Sequence, residues 1–131
     1  MKDSSRPSTR PIVCRNRVKQ RTDELASFRR AYEAYRQAIE DILRYGPVGV
    51  IEAEFRAVRS KYRGEYEPVA EYLRSYTAVT GIEDFEALGN FGALRDTRLR
   101  DTAELMNVLY RTEQAITLYG QHLRELARAV G

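Results

Sequence analysis

Apolar side chains recur along this chain at alternating steps of three and four. Leu25, Phe28, Tyr32, Tyr35, Ile39 and Ile42 do so without a break, the spacing of a heptad seam on one face of an α-helix. The pattern predicts a first helix capped near Thr22 or running back through Val18, and Gly46-Pro47 predicts its sharp end. Ile51, Phe55, Val58 and Tyr62 mark one face of a second helix, ending near Gly64. A third is expected over residues 66–80, with Pro68 in its first turn, Val69, Leu73 and Tyr76 inward, and Gly81 as its stop. Ile82, Phe85 and Leu88 predict a short amphipathic turn before Gly89-Asn90. A long last helix should start near Phe91 or Ala93 and reach Val130. It carries Leu109, Thr112, Ile116, Tyr119, Leu123, Leu126 and Val130 at heptad spacing. No segment alternates with the period of a strand. The expected fold is all-α: an antiparallel helical bundle of about four helices.

The start of the chain breaks the pattern. Up to about Val13 it has Pro7, Pro11 and several Ser and Thr but no helical periodicity, so an extended arm is expected there. The chain therefore divides into an N-terminal arm, residues 1–21, and a helical bundle, residues 22–131.

Charge sharpens that division. The sequence has 22 basic and 19 acidic side chains, of which residues 1–21 hold seven basic (Lys2, Arg6, Arg10, Arg15, Arg17, Lys19 and Arg21) and one acidic (Asp3). The body keeps 15 and 18 and is mildly acidic. A basic, Pro-stiffened arm on a charge-balanced body suits binding to a polyanion. Arginine forks match phosphate geometry in bidentate fashion, and Ser4, Ser5, Ser8 and Thr9 add hydroxyl contacts. Arg29, Arg30, Arg36 and Arg44 extend the basic character along one flank of the first helix, with Glu33, Glu40 and Asp41 expected on the other. Candidate nucleic-acid contacts are thus Lys2, Arg6, Arg10, Arg15, Arg17, Lys19, Arg21, Arg29, Arg30 and Arg36. The competing reading of the arm is a solubilising tail, and of the helix face a solvated mixture of charges in which Glu40 to Arg44, Glu52 to Arg56 and Asp96 to Arg100 form i,i+4 pairs.

Other chemistry finds little support. His122 is the only histidine and has no Glu-x-x-His partner, so a zinc or di-iron bundle site lacks ligands. Cys14 is the only cysteine; it forms no intrachain disulfide, and nothing positions it against His122. No phosphate-binding glycine loop and no Gly-x-Ser-x-Gly elbow occurs. No enzyme activity, metal or cofactor is expected. No apolar run approaches the roughly 18 residues of a membrane span, and the N-terminus lacks the apolar core of a secretory signal. Arg95 and Arg98 fall on seam positions of the last helix, where they either snorkel or face an anion. Tyr45, Tyr62, Tyr66, Tyr72 and Tyr110 exceed what one small core needs and are candidates for an interface; the plainer reading makes them rim residues.

The segment Arg6-Pro7-Ser8-Thr9-Arg10-Pro11, followed by a helix with Phe28, Tyr32 and Tyr35, resembles the N-terminal region of the major coat proteins of filamentous and rod-shaped archaeal DNA viruses. The resemblance spans the chain in layout and its first third in residue character. It implies subunits that dimerise and stack helically, with arms and first helices wrapping double-stranded DNA in the A form. It further implies backbone-phosphate contacts from Arg6, Arg10, Arg15, Arg17, Lys19, Arg21, Arg29 and Arg36. The expected function is a structural, DNA-packaging subunit of a virion that assembles with itself or a paralogous subunit and reads no bases. A helical adaptor or chaperone-like module, cytoplasmic and binding protein partners through its heptad faces, is the alternative.

Overall fold

The computed structural model describes residues 5–46, 50–76 and 99–130, with side chains placed for 15–46, 50–76, 103 and 106–130. Helix α1 spans Ser5–Tyr45 and α2 spans Glu52–Tyr66. A 3-10 turn at Glu67–Val69 leads into a one-turn α3, Ala70–Leu73, and α4 spans Leu99–Val130. Among the described residues there is no strand. The described residues are all-α, dominated by three helices. The expected turn at 82–88, the stop at Gly81 and the start near Phe91 lie outside the described residues.

The apolar stripe of α1 is its core face. Leu25, Phe28, Tyr32, Tyr35, Ile39 and Ile42 are all buried. Rings interlock with α2: Phe28 packs on Tyr62 and Tyr66 at centroid separations of 5.2 and 5.7 Å, and Tyr35 packs on Phe55 and Tyr62 at 5.5 and 5.0 Å. These are the tilted contacts that aromatic quadrupoles favour. From α4, Leu109, Thr112, Ile116, Tyr119 and Leu123 are buried in register with the predicted stripe. Thr112, the polar exception, donates its hydroxyl to the Val108 carbonyl at 2.8 Å. The stripe loses its cover after Leu123, since Leu126 is exposed. Ile51, the first position of the second stripe, is likewise exposed, because it stands outside α2 at its N-cap.

Four expectations change. First, residues 5–21 are not an extended arm; they are the opening turns of α1. A helix already nucleated on a packed face gains one backbone bond per added residue, and Arg and Lys propagate it well. Pro7 falls in the first turn, where its missing N–H has no partner to lose. Pro11 alone removes a bond, the one to the Pro7 carbonyl. Thr22 is accordingly no cap: its hydroxyl donates to the Val18 carbonyl at 2.8 Å.

Second, Gly64 lies inside α2 rather than ending it. One interior glycine costs only about 1 kcal/mol relative to alanine, against about 3 for proline. The break therefore comes at Pro68, which has no N–H for the Gly64 carbonyl. The chain tightens there into the 3-10 turn and re-forms as α3. Third, the described part of the expected third helix is this broken pair, closed by bonds from Tyr76 N to Leu73 O (2.9 Å) and Ser75 N to Tyr72 O (3.2 Å). Gly46, by contrast, stops α1 as expected, at a φ of 68°.

Fourth, Tyr62 and Tyr66 belong to the core and not to a surplus surface, while Tyr45 and Tyr110 are exposed. Tyr72 is half-buried and stacks on Tyr119 with centroids 5.5 Å apart and planes within 4°.

Candidate functional site

The sequence-predicted cations divide by what each side chain meets. Lys2 lies outside the described residues. Arg6 and Arg10 sit on the α1 backbone, their side chains outside the described set. Arg15, Arg17 and Arg29 are exposed and have no acidic partner among the described residues. Lys19 pairs with Asp23 at 3.1 Å on the surface. Arg21 pairs with Glu24 at 3.1 Å, and its guanidinium carbon stands 4.7 Å from the centroid of the Tyr72 ring. That ring in turn stacks on Tyr119, so Arg21 fastens α1 to the α3 and α4 layer. Arg30 donates to the Ser27 hydroxyl at 3.2 Å.

Arg36 is a structural bridge. Its guanidinium donates to Glu40 at 3.2 Å on its own helix and to Glu113 on α4. This corrects the expected division of α1 into basic and acidic flanks, because Glu40 faces Arg36 and not the opposite side. An unbroken phosphate track through Arg36 is not what the structure holds. Glu40 also leaves Arg44, which lies over the Tyr45 ring at 5.8 Å. The Glu52–Arg56 pair forms as expected. Arg95, Arg98 and Asp96 lie outside the described residues, and His122 is exposed on α4.

What remains is one face of α1. Arg15, Lys19, Thr22, Ala26 and Arg29 follow one another at steps of four, three, four and three and so line up along the helix. From Arg15 to Arg29 this row is about 21 Å long at 1.5 Å per residue. Its lower half is open helix surface. Its upper half is one wall of a furrow of about 520 Å³ between α1 and α4. The walls carry Thr22, Ala26 and Arg29 from α1 and Thr117, Gly120 and Arg124 from α4, over a floor that includes Leu25, Ile116 and Leu123.

Of the α1 side of the furrow the sequence singled out Arg29 and Arg30 as candidate contacts, both in its lining, and it singled out none on the α4 side. Arg124, Thr117 and Gly120 form no motif of their own. Only the docking of α4 against α1, with Leu25 at Gly120 and Arg36 at Glu113, brings them into one furrow with Arg29. Among the described residues no carboxylate lines the furrow, and no group of three or more metal-ligating side chains occurs. Among the same residues, no helix is long and apolar enough to cross a membrane. Comparison with protein-family models, with curated proteins and with solved structures finds no match for this chain.

Proposed function

We propose that this chain is a structural nucleoprotein subunit that binds the backbone of duplex nucleic acid along α1 and assembles with copies of itself. The observation that carries the reading is the set of exposed cations on α1. Arg15 and Arg29 on the row, and Arg17 on another face of the same turns, are solvent-facing with no acidic partner among the described residues, in a segment that also carries Arg6 and Arg10. Guanidinium groups arrayed along a rigid helix meet successive phosphates without the ordering cost of a coil, and they discriminate charge and spacing, not bases. Completion of an antiparallel four-helix bundle and helical stacking of subunits, as in the archaeal viral coat proteins that the layout resembles, belong to this proposal. Virion localisation follows from it.

The adaptor reading keeps one specific observation in its favour. Leu118 and Leu126 are exposed on α4, 45% and 37% respectively, and suit a protein contact. Self-assembly uses the same surface, so the two readings part over nucleic acid.

The test is fluorescence anisotropy of a labelled random-sequence duplex against the full chain across a salt series. Binding at low salt should fall steeply as salt rises, with a logarithmic slope of about −0.9 per phosphate neutralised. The triple variant Arg15→Glu, Arg17→Glu, Arg29→Glu should lose that binding while keeping its helical circular dichroism. Equal binding by the triple variant would sink the proposal, and a salt-insensitive dimer with no duplex binding would favour the adaptor.

A further inference from the structure

We infer that the furrow between α1 and α4 seats one sugar–phosphate strand, held from its two walls by Arg29 and Arg124. The inference rests on the nucleic-acid reading above and adds to it a second helix, which the sequence did not implicate.

Side chains on a helix lean toward its own N-terminus. Residues rising along α1 meet residues falling along α4, so the two helices lean toward each other across the furrow. Arg29 leans toward Ala26, and Arg124 leans toward Gly120. The Arg124 Nη1 atom stands 3.6 Å from the position a Gly120 Cβ would occupy. Both guanidinium groups therefore serve the same hollow, and neither has an acidic partner among the described residues.

The hollow suits a polymer backbone. Ala26 and Gly120 are small enough to admit close approach. On the α4 wall the Thr117 hydroxyl can donate to a phosphate oxygen, whereas the Thr22 hydroxyl opposite is already given to the Val18 carbonyl. The apolar floor offers a dry surface to a deoxyribose ring. Among the described residues the lining holds no carboxylate to repel an anion.

The ends of the furrow set its direction. At the upper end the Arg36–Glu113 bridge ties the two helices together, and Glu33 adds an exposed acid beyond Arg29. At the lower end the row continues onto open helix through Lys19 and Arg15. A strand entering the furrow thus leaves toward the N-terminus of α1. This continuation favours a nucleic-acid strand over an acidic amphipathic helix. Such a helix needs an apolar floor along its whole length, whereas residues 15–17, 19 and 20 present exposed side chains around Val18, which is half-buried.

The test uses the full chain, the same labelled duplex and three variants. Arg124→Glu should weaken binding about tenfold and reduce the salt slope by about one. Gly120→Leu, which fills the hollow without changing charge, should weaken binding several-fold with the slope kept. Arg111→Glu, an exposed cation of α4 outside the furrow, should bind as the wild type does. If Gly120→Leu loses helical circular dichroism, Gly120→Ala replaces it, since an added Cβ meets only ordinary contacts there. Wild-type affinity in both Arg124→Glu and the Gly120 variant overturns the furrow while leaving the α1 row standing. Loss in Arg124→Glu without loss in the Gly120 variant places the phosphate at the rim and overturns the seating. Absence of wild-type duplex binding at low salt overturns both proposals. A glutamate-flanked leucine-heptad peptide that binds in an Arg124- and Gly120-dependent way, where duplex does not, assigns the furrow to a protein helix and overturns the strand.

Discussion

The Tyr32 hydroxyl donates to the Leu109 carbonyl at 2.7 Å, tying α1 to α4 across 77 residues of sequence. Both residues are buried, and the bond sits inside the apolar layer that the two heptad stripes create. It fixes the register of α4 on α1, and that register is what brings Arg124 into the same furrow as Arg29. Replacing Tyr32 with Phe keeps the ring and deletes the donor. The Leu109 carbonyl retains its helical partner, so the expected loss is about 1 kcal/mol, the ordinary net worth of one hydrogen bond. Urea unfolding should show a lower midpoint at an unchanged slope. A loss above about 3 kcal/mol would mean that ring packing had also failed.

The same layer predicts how stability responds to alkali. Burial foremost, with the neighbouring Tyr72 adding to it, pushes the Tyr119 phenol up to about 12. Burial raises Tyr32 further still. A phenol whose folded pKa is raised favours the neutral form in the native state. Its stabilisation is fully present below the unfolded value of about 10 and is lost as pH rises through the folded value. Unfolding free energy should therefore be insensitive to these groups at neutral pH and fall above about pH 10. Tyr119→Phe should flatten part of that fall. Denaturant midpoints measured across the alkaline range, together with phenolate absorbance, check it; a Tyr119→Phe curve parallel to wild type would contradict the assignment.

Two glycines should respond in opposite directions. Gly46 holds a φ of 68° to stop α1, a conformation that disfavours a Cβ by about 1–2 kcal/mol. Gly46→Ala should lower the melting temperature. Gly64 sits in ordinary helix with nothing within 4 Å of an added Cβ. Gly64→Ala should raise stability by about 0.5–1 kcal/mol through reduced entropy of the unfolded chain. Calorimetry on the pair tests whether the break in this part of the chain belongs to Pro68 and not to Gly64.

That pair also shows what the sequence could and could not reveal. The stripes of α1 and α4 were legible because periodic burial is a local property of side-chain spacing, and every one of Leu25, Phe28, Tyr32, Tyr35, Ile39 and Ile42 is buried. Element ends were less legible, because glycine and proline compete. Gly64 looked like a stop, but the backbone hydrogen bond that fails is the one Pro68 cannot donate. Residues 5–13 looked extended because periodicity was absent; a helix can run on beyond the core without an apolar face once the packed part nucleates it. Cations on the α1 surface were countable from sequence, yet which of them are free was not. The partner of Arg36 is Glu113, remote in the chain, and the α4 wall of the furrow exists only through packing.

The Arg36–Glu113 bridge gives a prediction in which stability and binding move oppositely. Both side chains are partly exposed, at 34% and 47%, so the pair contributes about 0.2–1 kcal/mol at most and less as salt rises. Glu113→Gln should accordingly cost little in urea unfolding. It also removes the carboxylate that closes the upper end of the furrow and releases one arm of Arg36, leaving only Glu40 on it. Duplex affinity should rise, and the salt slope should steepen by up to about one as Arg36 becomes free to meet a phosphate. Arg36→Gln should show a similar small loss of stability but no gain in affinity, since it removes the cation together with the bridge. Anisotropy titrations of the two variants, read beside their unfolding curves, separate a gate on the furrow from a simple strut between helices. A strut predicts that both variants bind alike.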